Sequence, residues 1–201
     1  MTGNISKGIK IEDFVRDIIK ESIRIKQAIL DENIEDVIKA SEIIIEALNN
    51  KKKVLFFGNG GSAADSQHLA AEFINRFLFD RPALPAIALT TDTSVLSSIA
   101  NDSDYRFIFS RQIEALGYDG DVAVGISTSG TSPNVVEGLE KAKIIGMKTI
   151  AFIGDKAGDL RDKVDIIISV PSTCTPRIQE AHIMLGHIIC QLVEEGIFPK
   201  P

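Results

Sequence analysis

The sequence has 201 residues, a length that suits one α/β domain with a helical extension. Hydrophobic residues make up 44% and charged residues 25% of it, and the formal net charge is −6. The negative charge argues against a nucleic-acid-binding or anionic-membrane surface, and no apolar run approaches the roughly 20 residues of a membrane helix. Residues 1–20 carry mixed charges without the apolar core of a signal peptide, so we predict a cytoplasmic location.

Two amphipathic helices are predicted before the first strand. Isoleucine and other apolar residues recur at three- and four-residue steps over residues 11–30 and again over residues 33–48, and Asn49 and Asn50 end the second helix. These helices either cover one face of a sheet or pack against another subunit. We predict that residues 1–50 are an assembly extension belonging to the same domain as residues 51–201.

The first strand is predicted over Val54–Phe57, and a glycine-rich turn and a helix follow it. Gly58–Gly61 let the backbone turn sharply and approach a ligand, and Ser62 is predicted to cap the helix. Free N–H groups and the positive end of the helix dipole make such a turn an anion site. His68 and Glu72 are spaced i, i+4 and therefore lie on one face of this helix.

A nicotinamide site is the alternative for this turn, because Gly58, Gly60 and Ala63 fit the loose dinucleotide fingerprint. That fingerprint needs an acidic residue about 20 positions further on, at the end of the next strand. Asp80 comes before the next predicted strand instead. The turn is therefore better explained as a site for another anion.

Strands and helices alternate through the rest of the chain. Strands are predicted at 84–89, 121–126, 148–153 and 165–170, and helices after 90–94 and over 105–116, 133–145 and 177–195. Short connections between them imply right-handed crossovers and a doubly wound, five-stranded parallel sheet. Ligands bind such sheets at the carboxyl ends of strands, where Gly58–Ser62 and Ser127–Ser132 both lie, so the two loops can form one pocket.

Ser127–Ser132 has the composition of a phosphate loop. It supplies five hydroxyls, a permissive glycine and the start of a helix, with Pro133 at a typical first helical position. A Ser/Thr-rich capping loop without a ligand is the alternative. The sequence lacks the Gly-x-x-x-x-Gly-Lys-Ser/Thr motif, so a nucleotide triphosphatase is not expected.

The last predicted helix carries two further polar candidates. Gln179 and His187 are about 80° apart around the helix and can share a face, whereas His182 is about 140° from His187. A packed core histidine is the alternative for either ring. Cys174 and Cys190 are too few for a disulfide framework, and we expect both to be reduced packing residues.

Three motifs together resemble the sugar isomerase (SIS) domain family, and within it the phosphoheptose isomerases. The motifs are Gly58-Asn-Gly-Gly-Ser-Ala-Ala-Asp-Ser-Gln-His68, Gly125-Ile-Ser-Thr-Ser-Gly-Thr-Ser-Pro-Asn134 and Arg177-Ile-Gln-Glu-Ala-His182. The resemblance runs over nearly the whole chain. It implies a flavodoxin-like SIS fold, a homotetramer that the N-terminal helices help to assemble, and active sites near subunit contacts.

The resemblance also implies roles for individual residues. The implied sugar-phosphate site consists of Asn59, Gly60, Gly61, Glu72, Asn101, Asp102, Ser127, Thr128, Ser129, Ser132 and Gln179. The implied ligands of one Zn²⁺ per subunit are His68, Glu72, Gln179 and His187. Glu72 and His187 would in addition be the catalytic residues that transfer protons.

A close relative of these isomerases, the bacterial regulator that binds the replication initiator DnaA, shares the fold. Ile74-Asn-Arg-Phe77 and the ending Ile197-Phe-Pro199 resemble that regulator. The regulator has lost the equivalents of Glu72 and His187, however, and both are present here. The chemistry-bearing positions therefore favour the isomerase.

The sequence is thus interpreted as an aldose–ketose isomerase that converts sedoheptulose 7-phosphate to D-glycero-D-manno-heptose 7-phosphate. Such a reaction moves a proton between C1 and C2 through an enediol, and so it needs a base at carbon and an acid at oxygen. The alternatives are a non-catalytic protein that binds DnaA and a sugar-phosphate sensor.

Overall fold

The computed structural model describes residues 10–32, 34–155 and 160–198. Two parts of the sequence predictions lie outside the described residues. They are residues 1–9, which belong to the segment used for the cytoplasmic prediction, and Pro199 of the C-terminal ending. Within the described ranges, no helix combines the length and the apolar composition that crossing a membrane requires.

Helices and strands alternate after an initial helical pair. The helices are α1 (Ile11–Glu32), α2 (Ile34–Asn49), α3 (Gly61–Ile74), α4 (Thr93–Asp102), α5 (Ser110–Leu116), α6 (Pro133–Ile145) and α7 (Thr175–Ile197). The strands are β1 (Val54–Gly58), β2 (Ala86–Ala88), β3 (Val122–Ser127), β4 (Lys148–Ile153) and β5 (Ile166–Ser169).

The described strands form one five-stranded sheet in the order β2-β1-β3-β4-β5, and every pairing is parallel. This order confirms the predicted doubly wound α/β fold and is that of flavodoxin-like proteins, whose ligands bind at the β1/β3 switch point. Gly58 at the end of β1 pairs with Ile126 beside the end of β3. The glycine turn (Gly58–Gly61) and the serine loop (Ser127–Ser132) therefore leave the sheet side by side.

Helices cover both faces of the sheet, because neighbouring strand residues point in opposite directions. Phe56 and Val124 belong to a core shared with α1, α2, α3 and α7. Phe57 and Ala123 belong to a second core shared with α5 and α6. Ile44 of α2 is 1% exposed within the first core, so the N-terminal helices cover one face of the sheet.

The predicted cap of α3 is wrong. The helix begins at Gly61, Gly60 occupies the capping position, and Ser62 is buried within the first turn. Gly60 has φ 57° and ψ −118°, a conformation that glycine adopts freely and that residues with a Cβ rarely adopt. The turn is therefore set by a glycine backbone and not by a capping hydroxyl.

Two other local predictions need correction. The helix predicted over 105–116 is interrupted: a short 3₁₀ helix spans Tyr105–Phe107, and α5 starts only at Ser110. Cys174 is exposed at the start of α7, so it is not a packing residue. Cys190 is buried as expected, and burial raises the pKa of its thiol to about 12.

Candidate active site

The glycine turn presses directly against α7. A Cβ built on Gly61 would lie 2.4 Å from Nε2 of Gln179, so the absence of a side chain at this position lets Gln179 contact the turn. Further along, a Cβ on Gly186 would lie 2.7 Å from Cδ2 of Leu69. The earlier residue of α3 contacts the earlier residue of α7, and the later residue contacts the later one. The two helices therefore run parallel and side by side, and the glycines allow their close approach.

Asn59, the first residue of the turn after β1, is fixed by two side chains from other elements. Its amide exchanges hydrogen bonds of 2.8 Å with the amide of Asn134, which is buried at the start of α6. The hydroxyl of Tyr105 donates a 3.2 Å hydrogen bond to Asn59 Oδ1. The network ties the glycine turn to the serine loop, whose last residue lies two positions before Asn134.

The serine loop concentrates hydroxyl groups at the end of β3. Ser127 Oγ donates to Ser132 Oγ at 2.9 Å and lies 3.4 Å from Ser129 Oγ. Gly130 turns the loop with φ 68°, and Ser132 stands at the start of α6 without capping it through its side chain. Pro133 has no N–H group, and the N–H groups of Val135 and Val136 donate to the Ser132 carbonyl. The hydroxyls and the positive end of the α6 dipole are therefore what this loop offers to an anion.

Two histidines and a carboxylate meet where α3 passes α7. His68 Nε2 lies 2.8 Å from His187 Nε2 and 3.6 Å from Oε1 of Glu72. The ring of Phe77 contacts the other side of His187, with 5.5 Å between ring centroids. Two helices that are distant in sequence thus bring the predicted proton-transfer residues into one cluster.

The electrostatic environment of this cluster favours a neutral imidazole at His187. Burial lowers the pKa of His187, the neighbouring His68 lowers it further, and Glu72 partly opposes both effects. Burial also raises the pKa of Asp65, one turn before His68, and His68 partly opposes that increase. A neutral imidazole can accept a proton or bind a metal ion near neutral pH.

The donors of the implied metal site suit zinc in kind, because imidazole nitrogens and carboxylate or amide oxygens are hard-to-borderline ligands. No group of three or more His, Cys, Asp or Glu side chains is positioned to hold an ion among the described residues. The two histidine nitrogens are 2.8 Å apart, whereas two ligands of one tetrahedral zinc are about 3.3 Å apart. Metal binding therefore requires the two rings to move apart and the Gln179 amide, which lies against Gly61, to turn toward the cluster.

Three other predicted site residues form their described hydrogen bonds outside the His68–His187 cluster. Asn101 and Asp102 lie exposed at the end of α4, where the Asn101 amide donates to Asp102 Oδ1 at 2.8 Å. Thr128 is half-buried, and its carbonyl accepts from the backbone N–H of Gly154 at 3.2 Å. His182 is 1% exposed and bonds through Nε2 to the Ile153 carbonyl at 3.0 Å, so its ring is packed in the core.

Sequence reasoning missed several residues around the site. Asn134 stands inside a quoted motif, and its place directly after Pro133 could have marked it as a residue at the start of a helix. Asp65 likewise stands inside the first motif, whereas Tyr105, Arg81 and Glu194 have no comparable local signal. Asp65 Oδ2 is buried without a hydrogen-bond partner among the described residues, and Arg81 and Glu194 form a buried ion pair.

Comparison with known proteins places this geometry in a family. The family model described as the SIS domain matches residues 18–154. The phosphoheptose isomerase of Thermodesulfovibrio yellowstonii is 53% identical, over 96% of each chain.

Two solved structures agree over comparable lengths. A phosphoheptose isomerase from Neisseria gonorrhoeae is 43% identical with a TM-score of 0.86, and covers 92% of this chain and 100% of that one. A phosphoheptose isomerase from Francisella tularensis is 33% identical with a TM-score of 0.90, and covers 93% of this chain and 100% of that one. The chain therefore belongs to the SIS-domain family and, within that family, to the phosphoheptose isomerases.

Proposed function

We propose that this isomerase interconverts sedoheptulose 7-phosphate and D-glycero-D-manno-heptose 7-phosphate. The observation that carries the proposal is the meeting of Glu72, His68 and His187 between α3 and α7. His68 comes seven residues after Gly61 on α3, which is roughly 10 Å along a helix axis. An extended sugar phosphate can therefore place its phosphate at the loops and its C1–C2 end at the cluster.

Proton transfer between C1 and C2 is assigned to Glu72 and His187. Glu72 accepts the proton from carbon, and His187 exchanges a proton with the neighbouring oxygen as the enediol forms and collapses. The lowered pKa of His187 keeps its imidazole neutral, so the ring can serve the reaction in both directions. Ser127, Ser129 and Ser132, at the start of α6, hold the phosphate.

A zinc ion is proposed at the same cluster. His68, Glu72, Gln179 and His187 would hold it, and when bound it would polarise the sugar oxygens as a Lewis acid. Elemental analysis of protein prepared without chelator is expected to show about one zinc per chain, and His68→Ala to abolish it. Zinc that is sub-stoichiometric and insensitive to His68→Ala would exclude this site.

We also propose a homotetramer assembled through the N-terminal helices. An apolar groove of about 660 Å³ runs between α1, α2 and α7, lined among others by Ile23, Leu30, Ile38, Ile188 and Leu192. Large exposed apolar surfaces of this kind mark interaction sites in soluble proteins. The tetramer and the cytoplasmic location stay predictions.

Incubation of the purified protein with sedoheptulose 7-phosphate tests the function. We expect the aldose phosphate as product, with solvent deuterium at C2 if the enediol exchanges protons with water. Absence of turnover on any heptose phosphate would contradict the proposal. Binding of DnaA by the same inactive protein would then identify it as the scaffold, and tight sugar-phosphate binding without turnover as the sensor.

A further inference from the structure

Arg81 and Glu194 form an ion pair that is almost completely removed from solvent. Their side chains are 2% and 0% exposed, and Arg81 Nε donates to Glu194 Oε1 at 3.0 Å. Arg81 lies in the segment after α3, and Glu194 lies near the end of α7. Burying two charges is costly unless their remaining polar atoms also form hydrogen bonds. The groups that form these hydrogen bonds are the parts of the chain that the ion pair holds in place.

The guanidinium of Arg81 fixes the end of α3. It donates hydrogen bonds of 2.7 Å to the backbone carbonyl of Glu72 and of 2.7 Å to that of Phe73. Both carbonyls belong to the last turn of the helix, where the backbone lacks helical partners of its own. The backbone that carries the Glu72 carboxylate is therefore anchored directly to Arg81.

The carboxylate of Glu194 fixes the opposite side of the cluster. It accepts the backbone N–H groups of Phe77 at 2.9 Å and Leu78 at 2.7 Å. The ring of Phe77 in turn contacts the His187 imidazole. His187 itself stands two helical turns before Glu194 on α7, so one carboxylate links the helix of His187 to the segment that packs against its ring.

We propose that Arg81 and Glu194 are positioning residues that set the Glu72 carboxylate and the His187 imidazole at their working separation. The pair touches neither the glycine turn nor the serine loop in any described hydrogen bond. It should therefore act on the chemical step and not on phosphate binding. The assignment rests on the proposed function of Glu72 and His187.

Asp121 provides a matched control at the other end of the sheet. Its carboxylate is 2% exposed, accepts the backbone N–H groups of Lys53 at 3.0 Å and Tyr118 at 2.9 Å, and pairs with the Lys53 ammonium. It thus has the same kinds of partner as Glu194. Because it precedes β3, it lies at the amino ends of the strands, away from the site.

The experiment compares Glu194→Gln with Asp121→Asn. Both variants remove the charge of a buried carboxylate that pairs with a cation, and we expect both to lower the melting temperature. Glu194→Gln should in addition lower kcat by roughly 10–10²-fold, because small displacements of reacting groups slow the chemical step by such factors. Its KM should change by less than about twofold, since the phosphate site is untouched. Asp121→Asn should keep kcat within about twofold of wild type. Equal kcat in the two variants would overturn the proposal.

A spectroscopic measurement decides the point independently of turnover, and so separates it from a failure of the proposed function. The chain has three histidines, and selective labelling resolves their imidazole NMR signals. We expect Glu194→Gln to shift the His187 signals and to leave those of His182, bound to the Ile153 carbonyl, in place. Unchanged His187 signals would refute the positioning role even if the enzyme turned over no sugar.

If Glu194→Gln does not fold, Glu194→Asp replaces it in both measurements. Aspartate keeps the charge beside Arg81, but its shorter side chain cannot reach the N–H groups of Phe77 and Leu78 as well. The same loss of kcat and the same shift of His187 are expected at a smaller cost in stability. Wild-type kcat and His187 signals in Glu194→Asp would overturn the proposal.

Discussion

The histidines illustrate how environment decides the role of a residue. His68 is 47% exposed at its side chain and touches His187 across the helix pair. His187 is half-buried between His68 and Phe77, and burial lowers its pKa. His182 is buried beneath β4 and bonded to a carbonyl. Three identical side chains thus lie in three different environments, and only His68 and His187 are proposed to act in the site.

Replacing the proposed acid–base residues tests their assignment. Glu72→Gln and His187→Gln keep size and polarity but remove the proton-transfer group, so each should lower kcat by roughly 10²–10⁴-fold. The melting temperature should change little, because both side chains are partly exposed. Bound zinc must be measured in each variant, since loss of metal would also slow the reaction. Turnover like that of the wild type in both variants would rule the assignment out.

The buried His182 should make stability depend on pH. Burial lowers its pKa to about 4 in the folded protein from 6.5, so the unfolded chain takes up a proton first as the pH falls. Its contribution is complete above about pH 6.5 and is lost progressively down to about pH 4. Between pH 7.5 and 5 this contribution falls by about 2 kcal/mol.

Urea unfolding of wild type and His182→Gln at the two pH values measures this loss. Glutamine retains a hydrogen-bond donor for the Ile153 carbonyl and does not titrate. The free energy of unfolding of the variant should therefore fall less between pH 7.5 and 5 than that of the wild type, with carboxylates contributing equally to both. An identical pH dependence in the two proteins would contradict the buried, neutral state of His182.

At the scale of elements, the site is built from two loops and two parallel helices. The loops leave β1 and β3 beside each other because these strands are neighbours at the switch point. The helices α3 and α7 approach closely because Gly61 and Gly186 leave room for Gln179 and Leu69.

The serine loop is expected to bind the phosphate and not to hold the fold. The double variant Ser129→Ala/Ser132→Ala removes two hydrogen bonds to the phosphate. Each should weaken the binding free energy of the sugar phosphate by about 1.5–3 kcal/mol, so KM should rise strongly. Steady-state kinetics and thermal unfolding measure both effects. Ser97→Ala is the control, because Ser97 is exposed on α4 and bonds only to carbonyls of its own helix. Unchanged affinity of the double variant for the sugar phosphate would remove the loop from the site.

At the scale of the whole molecule, three helices carry large apolar side chains that are exposed to solvent. These residues are Ile11, Phe14, Val15, Ile19, Ile23, Leu30, Ile34, Ile38, Ile188 and Leu192. They lie on α1, α2 and α7, whose inner faces already fill the core. This surface is the one on which the proposed tetramer depends.

A charge placed in the groove should break the assembly. Ile23 is 61% exposed and lines the groove, so Ile23→Glu should shift the mass measured by light scattering from tetramer to smaller species. Ile144→Glu is the control, because Ile144 is 80% exposed on α6, away from the groove. A tetramer that survives Ile23→Glu, or a wild-type monomer, would contradict this interface.

The sequence by itself determined the strands, the parallel sheet and the positions of the glycine turn and the serine loop. These features depend on local information, since an apolar run, a glycine turn and a row of hydroxyls are readable within a dozen residues. The rule that ligands bind at carboxyl ends then put both loops at one edge. Even here the cap of α3 was missed, because the φ and ψ of Gly60 override the propensity of Ser62.

Only the tertiary structure decided which side chains meet. His68 and His187 are 119 positions apart, Asn59 and Asn134 are 75 apart, and Arg81 and Glu194 are 113 apart. Periodicity fixes the face of a helix on which a residue lies, but the partner across that face depends on how closely and at what register two helices pack. In this protein that register is set by the contacts that Gly61 and Gly186 permit.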